Sequence, residues 1–387
     1  MIFSCIGCFL TFSFCSPEHF KNEEERYFTM SQIRIPIPAV DFQPPVYICR
    51  RATKPFHLDG NINKPFWEDA PFTDAFLDIE GSHMPAPRFL TRAKMLWDDE
   101  NFYFGAQLDG NEIWGHVTKR DDIIFQDNDF EIFIDPDSDT AQYYEFEMNV
   151  LNTVWDLFLP VAYRDNGDAL NGYDIHGLQT AVHVEGSIND PDAENKTWSV
   201  EVVIPFAAIT ECLKDRRAPK DGEYYRINFS RVQWKTDIID HSYQKRTDEN
   251  GKILPEDNWV WAPTGVINIH YPEQWGFVFF SEDAARSDYA IPEDEYRKWE
   301  LRKCYYAEQI LLDTKGSFSN DLNELKETLK AYAPNEANVS LRGDLPITVE
   351  TTSRTFLLSC PSADDAYVLL LHSNGKVERV LKGPAAV

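Results

Sequence analysis

The stretch Asp129-Phe130-Glu131-Ile132-Phe133-Ile134-Asp135 places apolar and acidic side chains at alternating positions. Successive side chains of an extended strand point to opposite faces, so this stretch has one apolar face and one largely acidic face. The same period of two recurs in residues 143–151 and 225–230. We therefore predict three strands that each bury one face. The residues predicted to lie in the core are Phe130, Ile132, Phe146, Met148, Ile227 and Phe229.

Short segments of this kind run through the middle of the chain. They are rich in aromatic and β-branched residues and are separated by turn-forming residues such as Asp98-Asp99-Glu100-Asn101. The predicted strands cover residues 90–97, 102–108, 129–135, 143–151, 153–159, 198–204, 225–234 and 275–280. No alternation of strands with helices is present, and strands at this spacing suggest an antiparallel β-sandwich or a barrel. The predicted fold class is all-β, with the sandwich spanning residues 46–281.

The pattern changes over residues 282–387, which we predict to form a small α+β appendage. Pro292 is followed by three acidic residues, a combination typical of a helix N-terminus, and Gly316 is placed to end that helix. A second helix is expected before Pro334. Residues 338–382 return to the alternation of strands. Nothing in the appendage resembles a catalytic motif.

The N-terminal residues 1–45 are predicted to be an apolar N-terminus followed by a disordered, proline-rich linker. Residues 2–14 are apolar and long enough for the central region of a signal peptide, yet too short to span a bilayer. A basic region and a small-x-small cleavage site are both missing. Secretion and a cytosolic product that starts at Met30 therefore both stay open.

The charge balance limits the classes of partner. The chain of 387 residues carries 37 Lys and Arg against 64 Asp and Glu, a formal net charge of −27. Nucleic-acid backbones and anionic membrane surfaces require basic patches, so we expect neither as a partner. The aromatic content of 14% fits a β-rich core and also aromatic surfaces that contact a flat ligand. The oligomeric state is left open by the sequence.

One face of the predicted sheet combines acidic and amide side chains with nearby aromatic residues. The alternation places Glu131, Glu147, Asn149 and Asn228 on the face opposite the core. Phe125, Trp155, Trp234 and Trp261 lie in or beside the same strands. Carboxylates and amides bond sugar hydroxyls, and aromatic planes stack on the apolar faces of a pyranose. The alternative is an ordinary solvated face.

Several motifs in order along the chain resemble carbohydrate-binding module family 9. The resemblance covers about residues 46–281. It is carried by Leu58-Asp59-Gly60 with Trp67, Lys94-Met95-Leu96-Trp97-Asp98-Asp99, Asp127-Asn128-Asp129-Phe130-Glu131, Tyr143-Tyr144-Glu145-Phe146-Glu147, Trp198-Ser199-Val200-Glu201, Trp259-Val260-Trp261 and Pro272-Glu273-Gln274-Trp275-Gly276.

This resemblance implies a β-sandwich that binds glucose- or xylose-type sugars, is often stabilised by calcium and is often attached to xylanases. In the family, two tryptophans enclose the sugar; the first position carries Phe125 here, and the second region carries His270 and no tryptophan. Trp261 or His270 is the expected substitute. The glutamate of the family's first strand is Glu131, whereas the arginine expected on the next strand is replaced by Glu147.

A metal site is predicted directly after the strand that opens this section. Asp135, Asp137 and Asp139 occupy alternate positions, and carboxylate oxygens of this kind suit calcium. The alternative is a polar Asp-Pro turn. No cofactor is required for the predicted binding, so calcium would be structural.

Three classes of function fit these patterns. The prediction is non-catalytic binding of polysaccharides or oligosaccharides of the glucan or xylan class. The alternatives are a hydrolase of O-glycosyl bonds or accessory protein in carbohydrate catabolism, for which acidic pairs are available, and an interaction protein that no longer binds sugar. No nucleophile elbow, phosphate loop, dinucleotide fingerprint or His-Glu-x-x-His motif is present.

Overall fold

The computed structural model describes residues 33–383. The segment 2–14, and with it the question of a signal peptide, lies outside the described residues. The strands of residues 46–281 are β1 (Val46–Arg51), β2 (Leu77–Asp78), β3 (Thr91–Trp97), β4 (Asn101–Asp109), β5 (Asp129–Asp135), β6 (Tyr143–Asn149), β7 (Val154–Leu159), β8 (Gln179–Glu185), β9 (Thr197–Pro205), β10 (Tyr224–Gln233), β11 (Thr236–Ile239), β12 (Ser242–Lys245), β13 (Asp257–Val260) and β14 (Gly276–Ser281). A short helix α1 (Phe206–Ile209) follows β9.

Twelve strands of the described chain form one continuous sheet. Ten of them lie in the order β7-β6-β5-β10-β14-β1-β3-β4-β9-β8, while β13 pairs with β10 and with β2. The strand β1 pairs in parallel with both β14 and β3, so the predicted antiparallel arrangement is wrong at this strand. The other ladders of the sheet are antiparallel. The strands β11 and β12 form a separate hairpin.

The sheet curls so that its two halves enclose one core, which gives the predicted sandwich. Phe104 of β4 and Phe229 of β10 lie far apart in the strand order, yet their ring centroids are 6.0 Å apart. All six residues predicted for the core are buried in the main apolar cluster. The period of two therefore assigned the buried face of β5, β6 and β10 correctly, because an apolar face excludes water only when it meets another.

A buried carboxylate ties the start of the sheet region to β9. Glu201 accepts hydrogen bonds from the Trp67 indole at 2.7 Å and from the backbone amides of Asp59 at 3.0 Å and Gly60 at 2.8 Å. The Lys64 ammonium lies 2.7 Å from the same carboxylate. Gly60 has a φ of +79°, and a Cβ there would lie 2.4 Å from the backbone of Val182. These contacts explain why glycine and tryptophan stand at these positions.

The appendage contains two helices and a four-stranded antiparallel sheet. Its elements are α2 (Glu293–Lys315), α3 (Leu322–Tyr332), β15 (Thr348–Thr351), β16 (Phe356–Pro361), β17 (Tyr367–His372) and β18 (Val377–Leu381). As predicted, α2 begins after Pro292 and ends at Gly316, which has a φ of 74°. The helix α3 ends before Pro334.

Residues 33–45, predicted as part of a disordered linker, instead pack against the appendage. Ile35 and Ile37 are buried in a second apolar cluster with Trp299 and Tyr271. The Asn338 side chain donates a hydrogen bond of 3.0 Å to the Pro38 carbonyl. The alternation of proline with isoleucine therefore provides anchors for a packed segment.

Buried ion pairs join α2 to the large sheet. Glu273 accepts a bidentate pair from Arg164 at 2.7 and 2.8 Å, and the Tyr306 hydroxyl of α2 donates to the same carboxylate. Arg302 of α2 lies 3.6 Å from it. The guanidinium of Arg164 also stacks 4.2 Å from the centroid of the Tyr271 ring. The appendage and the sheet thus share a buried polar interface as well as apolar contacts.

No helix of the described residues combines the length and apolar character that a membrane crossing needs.

Candidate ligand-binding face of the sheet

The outer face of β5, β6, β7 and β10 carries a row of side chains that we call the acidic floor. Cross-strand pairing places Glu131 opposite both Glu147 of β6 and Ser230 of β10, and places Glu147 opposite Trp155 of β7. Directly opposed residues of an antiparallel pair have neighbouring side chains on one face. The acidic floor comprises Asp129, Glu131, Glu145 and Glu147.

This face is largely covered, so the alternative of an ordinary solvated face is wrong here. Glu131 is 6% exposed and Glu147 is 2% exposed. A third apolar cluster covers the neighbouring part of the same face, where Phe133 and Leu157 pack with Trp275. Trp275 lies outside these four strands, so alternation along them does not report this part of the cover.

Burial changes the acidity of the floor. Loss of hydration raises the pKa of Glu131 to about 7, and its effect is offset in part by the Ser230 hydroxyl. The same loss of hydration raises the pKa values of Asp129, Glu145 and Glu147 well above their ordinary range, and the neighbouring carboxylates add to it. Within residues 33–383, Asp129 Oδ2, Glu145 Oε2 and Glu147 Oε2 have no hydrogen-bond partner. The floor therefore presents unused acceptor atoms.

Aromatic rings border the acidic floor. Phe125, in a short turn before β5, is 40% exposed, and its backbone amide interacts with the Glu147 carboxylate. The Trp234 indole donates a hydrogen bond of 2.9 Å to the Phe125 carbonyl, and Lys245 lies 3.3 Å from the Trp234 ring centroid. Tyr163 is 41% exposed and interacts electrostatically with Glu145 and Glu147. Phe125 is thus anchored beside the floor with a free ring face.

A cavity of about 470 Å³ opens beside this turn. Its lining includes Gln126 and Asp127, which follow Phe125 in the chain, and Tyr243 and Lys245 of β12. None of the four carboxylates of the acidic floor is among the residues that line this cavity.

Four of the residues predicted for the site are engaged elsewhere. Trp261 is 4% exposed and packs in the main core, where its ring would meet any side chain at Gly276. Its prediction as a stacking plane is therefore wrong. Asn228 is fully buried, and its amide exchanges hydrogen bonds of 2.8 and 2.9 Å with the backbone of Ala262. Its prediction as a sugar ligand is wrong because both polar atoms are used.

Asn149 and His270 are also committed to internal contacts. The Asn149 amide donates to the Val117 carbonyl at 2.8 Å and to Asp127 at 2.9 Å, while its oxygen accepts the backbone amides of Leu151 and Thr153. His270 is 2.8 Å from the Tyr143 hydroxyl, and burial lowers its pKa to about 3. Neither side chain reaches the floor with a free polar atom, so both predictions are corrected.

The structure brings Phe125, Glu131 and Glu147 together, as predicted. Glu145 lies on the same face of β6 as Glu147, but the sequence analysis did not select it. Tyr163 was missed, since it approaches Glu145 and Glu147 from a segment remote in the sequence. Lys245 was missed as well; it contacts the Trp234 ring at the border of the site. Trp155 and Trp234 were noted as aromatic neighbours, and both border the floor.

The loop after β5 contains the predicted calcium ligands Asp135, Asp137 and Asp139, whose oxygens lie within 4.8 Å of one another. The Asp135 carboxylate accepts backbone amides of Ser138 at 3.0 Å and Thr140 at 2.9 Å. Asp139 pairs with Lys376 at 3.1 Å. Because the chain supplies these partners itself, a calcium ion would compete with Lys376, and calcium at this loop stays a prediction.

The melting temperature with calcium and with chelator tests the loop. If calcium binds there, it raises the melting temperature of the wild type, and Asp137→Asn removes that rise by deleting one ligand charge. A rise that is unchanged in the variant contradicts a calcium site in this loop.

The residues 46–281 thus form a curled sheet with a covered polar face that aromatic rings border. Residues 58–252 match the family model described as carbohydrate family 9 binding domain-like. The chain belongs to this family.

Three solved structures are similar to this chain. A Bacteroides uniformis protein provisionally described as carbohydrate-binding is 14% identical, with a TM-score of 0.44, covering 61% of this chain and 99% of its own. A family 9 carbohydrate-binding module from Caldicellulosiruptor kristjanssonii in complex with cellotriose is 16% identical, with a TM-score of 0.39, covering 64% of this chain and 97% of its own. The structure of that module in complex with glucose is 16% identical in sequence, with a TM-score of 0.38; the match covers 63% of this chain and 98% of the module. No curated protein matches the chain.

Proposed function

We propose that this protein binds a saccharide of the glucan or xylan class at the acidic floor, without cleaving it. The observation that carries the proposal is the row of Trp155, Glu147, Glu131 and Ser230 beside the exposed ring of Phe125. Membership of the carbohydrate family 9 binding domain-like family supports it. The Caldicellulosiruptor relative was solved with cellotriose and with glucose.

The unused atoms of the floor match what a sugar offers. Sugar hydroxyls donate hydrogen bonds, and the free carboxylate oxygens of Glu145 and Glu147 accept them. The buried indole N–H of Trp155 also lacks a partner within the described chain and is a donor for a sugar oxygen. A pyranose that bonds the floor would place one apolar face near Phe125, where ring stacking adds to its burial.

The arrangement of the two central glutamates favours binding over hydrolysis. Glu131 and Glu147 are directly opposed across β5 and β6, so their Cβ atoms are about 4.5–5.5 Å apart and both approach a ligand from the same side. Glycosidase carboxylates instead flank the scissile bond from two sides. A hydrolase and an interaction protein without sugar affinity remain the alternatives, and the binding and turnover assays below separate them.

Calorimetry with cello- and xylo-oligosaccharides tests the site residue by residue. Removing the stacking plane in Phe125→Ala should cost about 1 kcal/mol, close to a fivefold loss of affinity. At a pH above 7, where Glu131 is mostly ionised, removing this charged acceptor in Glu131→Gln should cost about 1.5–3 kcal/mol, roughly a tenfold to hundredfold loss.

The matched control is Tyr296→Ala, because Tyr296 is also 40% exposed but lies on α2. Its affinity should equal that of the wild type. Equal affinities for wild type, Phe125→Ala and Glu131→Gln would place sugar binding elsewhere on the molecule.

A further inference from the structure

The described residues contain three groups of three carboxylates whose oxygens lie within 4.8 Å of one another. In the group of Asp121, Asp156 and Asp174, the Arg120 guanidinium pairs with Asp156 and, at 2.8 Å, with Asp174. In the group after β5, Lys376 supplies the cation, as described above. Two of the three groups thus have a cationic partner within the chain itself.

The third group, Asp129, Glu131 and Glu147, has no such partner. None of these carboxylates forms an ion pair with a lysine, arginine or histidine of residues 33–383. All three are buried, whereas the other two groups include exposed or half-buried members. Buried carboxyls without a partner of opposite charge tend to keep their protons, because the ionised form loses its hydration, and a bound cation would displace those protons.

Glu145 is a further observation that points to a ligand at the acidic floor. It does not belong to the group of three, is 5% exposed, and its Oε2 has no partner within the described chain. It lies on the same face of β6 as Glu147 and interacts electrostatically with Glu131 and Glu147. A fourth buried acceptor therefore faces the same uncompensated site.

We propose that the acidic floor holds a divalent cation, of which calcium is the best fit, bound by Asp129, Glu131 and Glu147. Calcium takes six to eight oxygen ligands at about 2.3–2.6 Å, so two ligand oxygens on opposite sides of one ion lie up to about 5 Å apart. The spacing of at most 4.8 Å suits this geometry. An ammonium group carries one charge and neutralises such a cluster less completely than a divalent ion does.

This inference deepens the proposed function, and its second half rests on that function. Three carboxylates do not fill the coordination shell of calcium, which takes six to eight oxygen ligands. Hydroxyls of a bound saccharide would complete the shell, so sugar affinity should depend on calcium. The metal site itself does not require that any sugar binds.

The first experiment measures the metal alone on the full chain, without sugar. Terbium stands in for calcium, and its emission is excited through nearby tryptophan, here Trp155, which is the cross-strand neighbour of Glu147. We expect saturable emission that calcium displaces. Glu147→Gln and Glu131→Gln should each weaken terbium and calcium binding by about tenfold or more, since each removes a charged ligand.

Controls locate the ion. Asp174→Asn removes a carboxylate from the group that Arg120 neutralises and should leave terbium binding unchanged. Circular dichroism and the melting temperature without metal show whether the variants fold. Without metal, Glu147→Gln should be at least as stable as the wild type, because the variant replaces a buried acidic group by a neutral amide. Binding that Asp137→Asn abolishes and Glu147→Gln leaves intact would overturn the proposal, as would no terbium or calcium binding at all.

The second experiment repeats sugar calorimetry with calcium and with chelator. Affinity that falls by about tenfold or more with chelator supports the shared site. Sugar binding that is indifferent to calcium overturns the coupling and leaves the proposed function intact. Calcium binding at the floor with no sugar binding contradicts the proposed function and leaves the metal site intact. Tight binding of glucosamine in chelator, with no calcium binding, would show that the floor serves an amine instead.

Discussion

Replacing Glu273 with alanine is expected to lower the free energy of unfolding by about 3–5 kcal/mol, because it removes the bidentate partner of the buried Arg164 and leaves that guanidinium with its longer contact to Asp165 at 3.2 Å. The bidentate Arg164 and the nearby Arg302 both depend on this carboxylate, and Arg164 is 8% exposed. Equilibrium unfolding in urea measures the loss. The control Glu249→Ala removes an exposed glutamate and should change stability by less than about 0.5 kcal/mol. A loss below about 1 kcal/mol for Glu273→Ala would contradict the role of this network.

The pH dependence of the same contact has a defined sign. The charges of Arg164 and Arg302 outweigh burial and lower the pKa of Glu273 to about 2, below its unfolded value of about 4.3. The ionised carboxylate therefore stabilises the fold fully above the unfolded pKa, and this contribution is lost as the pH falls towards 2. The stability difference between wild type and Glu273→Gln should be constant from pH 6 to 8 and shrink below about pH 4. A difference that grows on acidification would contradict this account.

Replacing Glu201 with alanine is expected to cost a similar amount, about 3–5 kcal/mol. The side chain is fully buried, and its loss leaves the Trp67 indole and two backbone amides without this acceptor. It also removes one of the two carboxylates that the Lys64 ammonium contacts. Urea unfolding again measures the change. The control Glu185→Ala lies on the exposed edge strand β8 and should be nearly neutral. Equal stability of the two variants would contradict the idea that Glu201 organises the start of the sheet.

The Glu201 contacts also show what the sequence predicted and why. The motifs at Asp59-Gly60, Trp67 and Glu201 were used as separate marks of a family resemblance. In the structure they form one hydrogen-bonded unit, so they mark the fold because they are required together. Alternation assigned the buried faces of β5, β6 and β10 because burial of an apolar face is a local property of each strand.

The site was predicted less completely for a physical reason. Alternation gives the face of a side chain but not what covers that face. Asn149 and Asn228 lie in the expected strands, yet neighbouring loop backbone uses their amides. Trp261 follows β13 and turns into the core, which its sequence neighbours do not reveal. Tyr163 reaches the floor from a loop and had no sequence signal at all.

The sequence also did not predict that residues 33–45 belong to the folded part of the chain. Composition made residues 33–45 resemble a disordered linker, because proline-rich segments lack helix and strand signals. Ile35 and Ile37 nevertheless pack against apolar side chains of the appendage, which form a surface only when the appendage is folded. The parallel pairing of β1 could not be predicted for the same reason, because it depends on β14, which is more than 200 residues away in the chain.

The central claim is that this protein binds a saccharide at the acidic floor and does not cleave it. The most direct test titrates cello- and xylo-oligosaccharides into the wild type in the presence of calcium, and measures reducing ends in the same samples after long incubation. The account predicts saturable binding with no increase in reducing ends. Release of reducing ends, or the absence of binding to every glucan and xylan oligosaccharide, would contradict it.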